Sequence, residues 1–174
     1  MQHKINHYET LPVYNQKLIP LSDKKYVYTV ENFPEIFVKV MKIDGKTTRE
    51  LIDNEIKLQR RAAKIKLTPK IIDYFWDEST AYILMERIEG KSLYDLYGDK
   101  SKDVPTKIFD QIRDILEKLY SAGIEYSDIS SYNFMINTTG KMFVIDFGHA
   151  KEIKVNWFLR DFLDGVNEFN PDFE

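Results

Sequence analysis

Residues 25–41 alternate between apolar and polar positions, first in Lys25-Tyr-Val-Tyr-Thr-Val30 and again in Ile36-Phe-Val-Lys-Val-Met41, on either side of the turn-prone Glu31-Asn-Phe-Pro-Glu35. A period of two in β-branched and aromatic residues predicts a β-hairpin. From Thr47 to about Ile65 the period becomes helical, with Thr48 or Thr47 as cap and Glu50 near the third position. Strands are expected again at 71–76 and 81–85, joined by Asp-Glu-Ser-Thr, and the second runs into Glu86-Arg-Ile-Glu-Gly90. Beyond this point the chain turns helical. A short helix is expected near 92–97 and a longer one from about Pro105 to Ser121, with Ile108, Ile112, Ile115 and Leu119 on one face and Gly123 as its stop. A second hairpin, 134–137 and 142–146 around Thr-Thr-Gly-Lys, and a helix near 155–163 complete the pattern.

This order places strands and one helix first, then helices and one hairpin. It predicts an α+β chain in two lobes joined at Glu86–Gly90. No repeat or linker divides it further, so residues 1–174 read as a single domain, with about 1–85 as N-lobe, 86–90 as hinge and 91–174 as C-lobe. Composition agrees: 174 residues with 43% hydrophobic and 30% charged side chains are ordinary for one globular unit. The absence of cysteine excludes disulfides, thiolate metal sites and cysteine nucleophiles, and suits a reducing compartment. A net charge of −3 with no basic arm gives no field that would draw nucleic acid. No signal-like segment or 18-residue apolar run occurs, so a soluble cytoplasmic protein without a membrane partner is expected.

Three features break the local pattern, and such breaks concentrate where function lies. Lys39 shares a strand face with Phe37 and Met41 in the most apolar run of the first hairpin. Glu55 falls in the stripe Leu51, Glu55, Leu58, Ala62 and Ile65 of the following helix. A buried lysine and a buried glutamate each cost several kcal/mol alone, so pairing them is economical, and snorkelling of either to solvent is the alternative. The third feature is the carboxylate and amide set in Tyr126-Ser-Asp-Ile-Ser-Ser-Tyr-Asn133 and Val144-Ile-Asp-Phe-Gly-His149. Oxygen donors on a loop and at a strand end suit magnesium, which keeps few protein ligands and takes the rest from phosphates and water. Singly, each is also an ordinary turn former.

A strand lysine, a helix glutamate, D-x-x-x-x-N and then D-F-G, in this order, resemble the signature set of protein kinases over roughly residues 22–170. The wording is atypical. YSDISSYNFMI, FVIDFGHA and EIKLQRRAAKIKLTPKIID are similar to the corresponding text of RIO kinases and of the kinase subunit of the KEOPS complex, and FLRDFLDGVNEF resembles the C-terminal helix of the RIO family. The resemblance implies a two-lobed protein-kinase-like fold with a truncated C-terminal lobe, using ATP and Mg2+. Lys39 would contact the α- and β-phosphates and be held by Glu55. Asp128 would accept or orient the nucleophile's proton, and Asn133 and Asp146 would hold magnesium. Glu86 and Ile88 would offer backbone hydrogen bonds to adenine, with Met85 as gatekeeper and Met135 beneath the ring.

Departures from the family pattern qualify that picture. No glycine lies between residues 1 and 44, so Ser22-Asp-Lys-Lys25 must stand in for the glycine-rich loop over the phosphates. Tyr126-Ser127 replaces the usual His-Arg, which removes the arginine that reads an activation-loop phosphate. Ser130 stands where serine/threonine kinases place a lysine. After Gly148 there is no A-P-E and no text for the helices that present a peptide. The aromatics Trp157, Phe158, Phe162, Phe169 and Phe173 read as core and capping contacts, and His149 as a packing histidine with a hydrogen bond near the metal as its alternative.

The leading expectation is an atypical ATP- and Mg2+-dependent serine/threonine protein kinase acting on a protein hydroxyl, on itself, or as an ATPase through an aspartyl phosphate at Asp146. Two others stand beside it. YVYTV, FVKV and YILMERIEGKSL also resemble aminoglycoside and choline kinases, which phosphorylate small molecules. A pseudokinase or binding module working through a partner protein is the third, and homo-oligomerisation could supply what the short C-lobe lacks.

Overall fold

The computed structural model describes residues 10–11, 16–21, 26–153 and 157–171, and the side chains of all these except 10, 11, 157 and 158. The chain divides into two compact units, Met1–Ile52 with Lys70–Arg87 and Asp53–Pro69 with Ile88–Glu174.

The first unit is an antiparallel sheet. Its strands are β1 (Thr10–Leu11), β2 (Gln16–Pro20), β3 (Val27–Val30), β4 (Phe33–Lys42), β5 (Ile71–Trp76) and β6 (Thr80–Glu86), in the order β1-β2-β3-β4-β6-β5. The expected hairpin is β3–β4, and its register shifts between Thr29 and Val30, so β4 starts at Phe33 instead of Ile36. Alternation along β4 sends Val38 and Val40 into a core with Leu18, Val30, Tyr82 and Leu84, and leaves Phe37, Lys39 and Met41 on the opposite face. The β5–β6 turn is closed by Asp77, whose Oδ1 accepts from the N–H groups of Ser79 (2.8 Å) and Thr80 (2.9 Å).

Helix α1 spans Arg49–Lys64 and is capped by Thr48, whose Oγ1 accepts from Leu51 N at 3.4 Å. Its buried face corrects the predicted stripe. Leu51 and Ile65 are exposed, whereas Ile52, Glu55, Ile56, Leu58, Gln59 and Ala62 are buried. The expected stripe takes its phase from the apolar residues at its two ends, and the observed face is rotated toward Ile52 and Gln59.

The second unit holds β7 (Gly90–Ser92), α2 (Leu93–Tyr97), a 3-10 turn (Ser101–Asp103), α3 (Thr106–Ser121), β8 (Ile124–Glu125), β9 (Phe134–Asn137), β10 (Met142–Val144), β11 (Lys151–Glu152) and α4 (Trp157–Leu163). Strands β10-β9-β7 form one small sheet and β11-β8 another. Helix α2 begins in a capping box in which Ser92 Oγ accepts from Asp95 N at 3.0 Å and Asp95 Oδ2 accepts from Ser92 N at 3.1 Å. All four apolar residues predicted on the α3 face are buried, around Tyr126, Phe134 and Phe147. Gly123 closes that helix at φ 81°, a conformation that glycine adopts freely. Gly90 has a different reason to be glycine: a Cβ there would lie 2.2 Å from the Ile136 carbonyl oxygen, because β7 and β9 approach closely.

Two further expectations are adjusted. The second strand of the 134–146 hairpin stops at Val144, and Ile145 and Asp146 leave the ladder. Phe162 and Phe169 are buried against Phe109, at ring distances of 6.0 and 5.4 Å, as core contacts. Phe173, the side chains of Trp157 and Phe158, and the Ser22–Lys25 stand-in for the glycine-rich loop lie outside the described residues.

Candidate active site

In the first unit, Lys39 sits at the middle of β4, opposite Val27 on β3 and Ile83 on β6. Pairing across an antiparallel ladder puts facing residues on one side. Lys39 therefore shares its face with Phe37, Met41, Ala81, Ile83 and Met85, of which the last three are buried. A half-buried ammonium among these apolar neighbours is a cation set where an anion would be strongly held. Glu86 ends β6; its N–H donates to the Lys70 carbonyl at 2.9 Å, and its carboxylate accepts from Lys70 N at 3.2 Å.

The second unit carries the remaining candidates, with Ile88 half-buried just before β7 and Met135 half-buried on β9 opposite Phe143 and Ser92. Asp128 and Asn133 lie on the loop that follows β8, each 9% exposed. The loop is self-braced. Ser130 N donates to the Asp128 carbonyl at 3.1 Å and Asn133 N to the Ser130 carbonyl at 3.2 Å, while Asn133 Nδ2 donates to the Asp128 carbonyl at 3.1 Å. Committing the amide nitrogen in this way leaves Asn133 Oδ1 as its ligand-capable atom.

Asp146 follows the end of β10 with φ 60°, in the left-handed region that aspartate tolerates better than most residues. Its Oδ1 accepts from Gly148 N at 3.1 Å, and its side chain is exposed. Tyr126 ties this turn to the Asp128 loop: its hydroxyl lies 2.6 Å from the Ile145 carbonyl and 2.9 Å from that of Asp146, and its ring packs edge-on against Phe147 at 5.4 Å. Helix α1 brings the Glu55 carboxylate to the same turn, since a Cβ on Gly148 would stand 3.2 Å from Asp146 Oδ1 and 3.5 Å from Glu55 Oε2. A side chain at 148 would need the Asp146 carboxylate to give by a few tenths of an ångström.

The site is acidic, and its charges are felt. Burial raises the Asp128 carboxyl above its ordinary value; hydrogen bonds from His149 and Asn133 pull it back, and the like charge of Asp146 adds to the rise. The Tyr126 hydroxyl is pushed far up by complete burial and by Asp128, Asp146 and Glu55 nearby. A carboxyl raised in this way is a better proton acceptor than an exposed one.

The sequence points to Asp128, Asn133 and Asp146; for His149 the structure shows the second of the two readings, and Tyr126 has a role the sequence does not reveal. His149 is not a packing residue: its side chain is 63% exposed, and Nδ1 lies 3.2 Å from Asp128 Oδ2. Tyr126 had been noted only as a replacement, whereas it anchors the Asp146 turn. The 126–133 string carries two tyrosines, and nothing local in it tells the buried anchor Tyr126 from the exposed Tyr132.

Magnesium fits the donor set. Asn133 offers an amide oxygen and Asp146 a carboxylate, both hard oxygen ligands. Among the described residues no group of three or more His, Asp or Glu side chains gathers as a metal site.

Comparison with known proteins places this geometry in a family. The protein kinase domain family matches residues 27–164, and the chain belongs to that family. It is similar to a probable serine/threonine-protein kinase of Clostridium perfringens, 27% identical over 124 residues that make up 68% of this chain and 18% of that protein. It is 26% identical to the serine/threonine-protein kinase STE20 of Candida glabrata over 141 residues, 80% of this chain and 15% of the relative. It is 31% identical to the KEOPS complex subunit Bud32 of Pyrococcus abyssi over 114 residues, 65% of this chain and 50% of that protein. The matched region thus spans from under a fifth to half the length of these relatives. The α+β architecture expected from the sequence is the one observed, a kinase-type fold with a sheet-rich first unit and a helix-containing second unit.

Proposed function

We propose that this chain is an atypical ATP- and Mg2+-dependent phosphotransferase of the serine/threonine kinase type, acting as one domain over residues 1–174. The observation that carries the reading is the buried Asp128, held by Asn133 and His149 on a loop that Tyr126 links to the Asp146 turn. Phosphoryl transfer asks a protein mainly for positioning and charge neutralisation. In this reading Lys39 neutralises the α- and β-phosphates, and Asn133 Oδ1 and the Asp146 carboxylate hold the magnesium that screens the transferred phosphate. Asp128 takes or orients the proton of the attacking hydroxyl. Glu86 and Ile88 offer backbone atoms to adenine, Met85 and Met135 offer apolar surface to its ring, and Glu55 is a further catalytic carboxylate.

The acceptor is a protein hydroxyl, in keeping with relatives named as serine/threonine-protein kinases. One comparison favours a second reading, that of an ATP-using subunit that works inside an assembly with partner proteins, since Bud32 is named as a subunit of the KEOPS complex. A cytoplasmic location belongs to the same proposal, and no helix among the described residues is long and apolar enough to cross a membrane.

Transfer of labelled γ-phosphate from ATP with Mg2+, for the wild type, Asp128→Asn and Asp146→Asn, tests the proposal. Label on protein or released phosphate in the wild type, reduced about 10²- to 10⁴-fold in Asp128→Asn, is expected. Wild-type turnover equal to that of both variants would overturn it.

A further inference from the structure

The segment after α4 makes contacts that neither the fold nor the proposed chemistry has used. Phe169 and Asn170 are 3% and 2% exposed, which is unusual for an irregular stretch. Phe169 packs against Phe109 of α3, and its N–H donates to Ser101 Oγ at 2.8 Å. With the segment anchored there, Asn170 reaches the loop that carries Asp128 from both sides of that residue. Its Nδ2 donates to the Ser127 carbonyl at 2.7 Å, and its own N–H donates to the Ile129 carbonyl at 2.9 Å.

The two carbonyls it holds belong to the residues immediately before and after Asp128. Within the loop, the Ser127 carbonyl also accepts the tight i to i+2 contact from Ile129 N, at 2.9 Å. Asn170 therefore supplies the long-range bonds that fix where the Asp128 backbone lies. Asn133 and His149, by contrast, act on the carbonyl and the carboxylate of Asp128 itself.

We infer that Asn170 is a positioning residue for phosphoryl transfer: its side-chain amide and backbone N–H clamp the carbonyls of the residues on either side of Asp128 and so set the aim of the carboxylate. The inference rests on the phosphotransfer reading for its catalytic half. Asn170 touches no reacting atom, and its effect passes wholly through the loop. A misplacement of about 1 Å in such a group costs on the order of 10²-fold in rate. The donor is specific, because only the amide can donate to a carbonyl; an aspartate of the same shape places a carboxylate oxygen against it.

The test compares Asn170→Ala and the isosteric Asn170→Asp with the wild type in two assays on the full chain. Steady-state turnover of Mg2+ and ATP is corrected for folded fraction by thermal melt, and amide exchange is followed by mass spectrometry on peptides covering 126–134. The expected result is kcat lowered at least tenfold with KM for ATP within twofold, together with faster exchange confined to 126–134. Asn170→Ala covers the case in which the buried charge of Asn170→Asp prevents folding. An active wild type whose folded Asn170→Ala variant keeps full kcat would overturn the inference. A wild type without turnover would overturn the phosphotransfer reading instead, and the exchange data would then decide the clamp: faster exchange at 126–134 supports it, unchanged exchange refutes it.

Discussion

At Asp128 two demands conflict. Burial raises its carboxyl above the ordinary value of 3.8, so the folded protein holds a proton there more tightly than the unfolded chain does. Between the unfolded value and the raised folded one the native state binds more protons, and stability falls as pH climbs through that window. Ionised Asp128 is thus a cost to the fold at neutral pH and the form that chemistry needs. Asp128→Asn is expected to melt at a higher temperature than the wild type at pH 7, with the gap narrowing as pH is lowered toward the ordinary carboxylate value. Melting curves across that range check it, while kcat of the wild type should rise with pH through the raised value. Tyr126→Phe is the complementary case. It removes the hydroxyl that bridges the part-buried Ile145 and Asp146 carbonyls, at a cost of about 0.5–1.5 kcal/mol by urea denaturation. The Asp128-to-Asn133 spacing and the D-F-G at Asp146 were legible in sequence because they are local strings. Tyr126, His149 and Asn170 act over separations of 19 to 43 residues, which no local pattern encodes.

The elements show where periodicity suffices and where it does not. Strand β4 and helix α3 announced themselves because each buries one clean face, with Val38 and Val40 on one and Ile108, Ile112, Ile115 and Leu119 on the other. Strand β2 did not. It buries only Leu18 in Gln-Lys-Leu-Ile-Pro, too little alternation to register. Helix α1 was predicted with its face slightly misrotated: the stripe rightly includes Glu55, but hydrophobicity alone cannot tell that buried Gln59 takes an apolar residue's place there. Gln59 is satisfied by the Pro69 carbonyl at 3.2 Å, a contact made by the turn beyond the helix. The corrected phase makes a sharp prediction. Ile52→Ala should cost about 2–5 kcal/mol and Leu51→Ala little, by urea midpoints of the two variants. Gly90→Ala should also destabilise, by about 1–3 kcal/mol, because its methyl group would collide with backbone that cannot move aside as a side chain could.

For the molecule as a whole, the order of elements and of signature residues was enough to place it among protein kinases, and the match over residues 27–164 places it there independently. Each unit has its own apolar core, one behind β4 and β6 and one around α3, and each presents its share of the candidate residues: Lys39, Met85 and Glu86 in the first, Glu55, Ile88, Asp128, Asn133, Met135 and Asp146 in the second. The central claim of the proposed function is that the chain binds ATP through magnesium held at Asp146. The direct test is calorimetric titration of ATP into the wild type and Asp146→Asn, each with and without Mg2+. The account predicts wild-type binding that strengthens with magnesium, and a variant that gains nothing from the metal. Binding of equal strength in all four titrations, or no binding by the wild type, would contradict it.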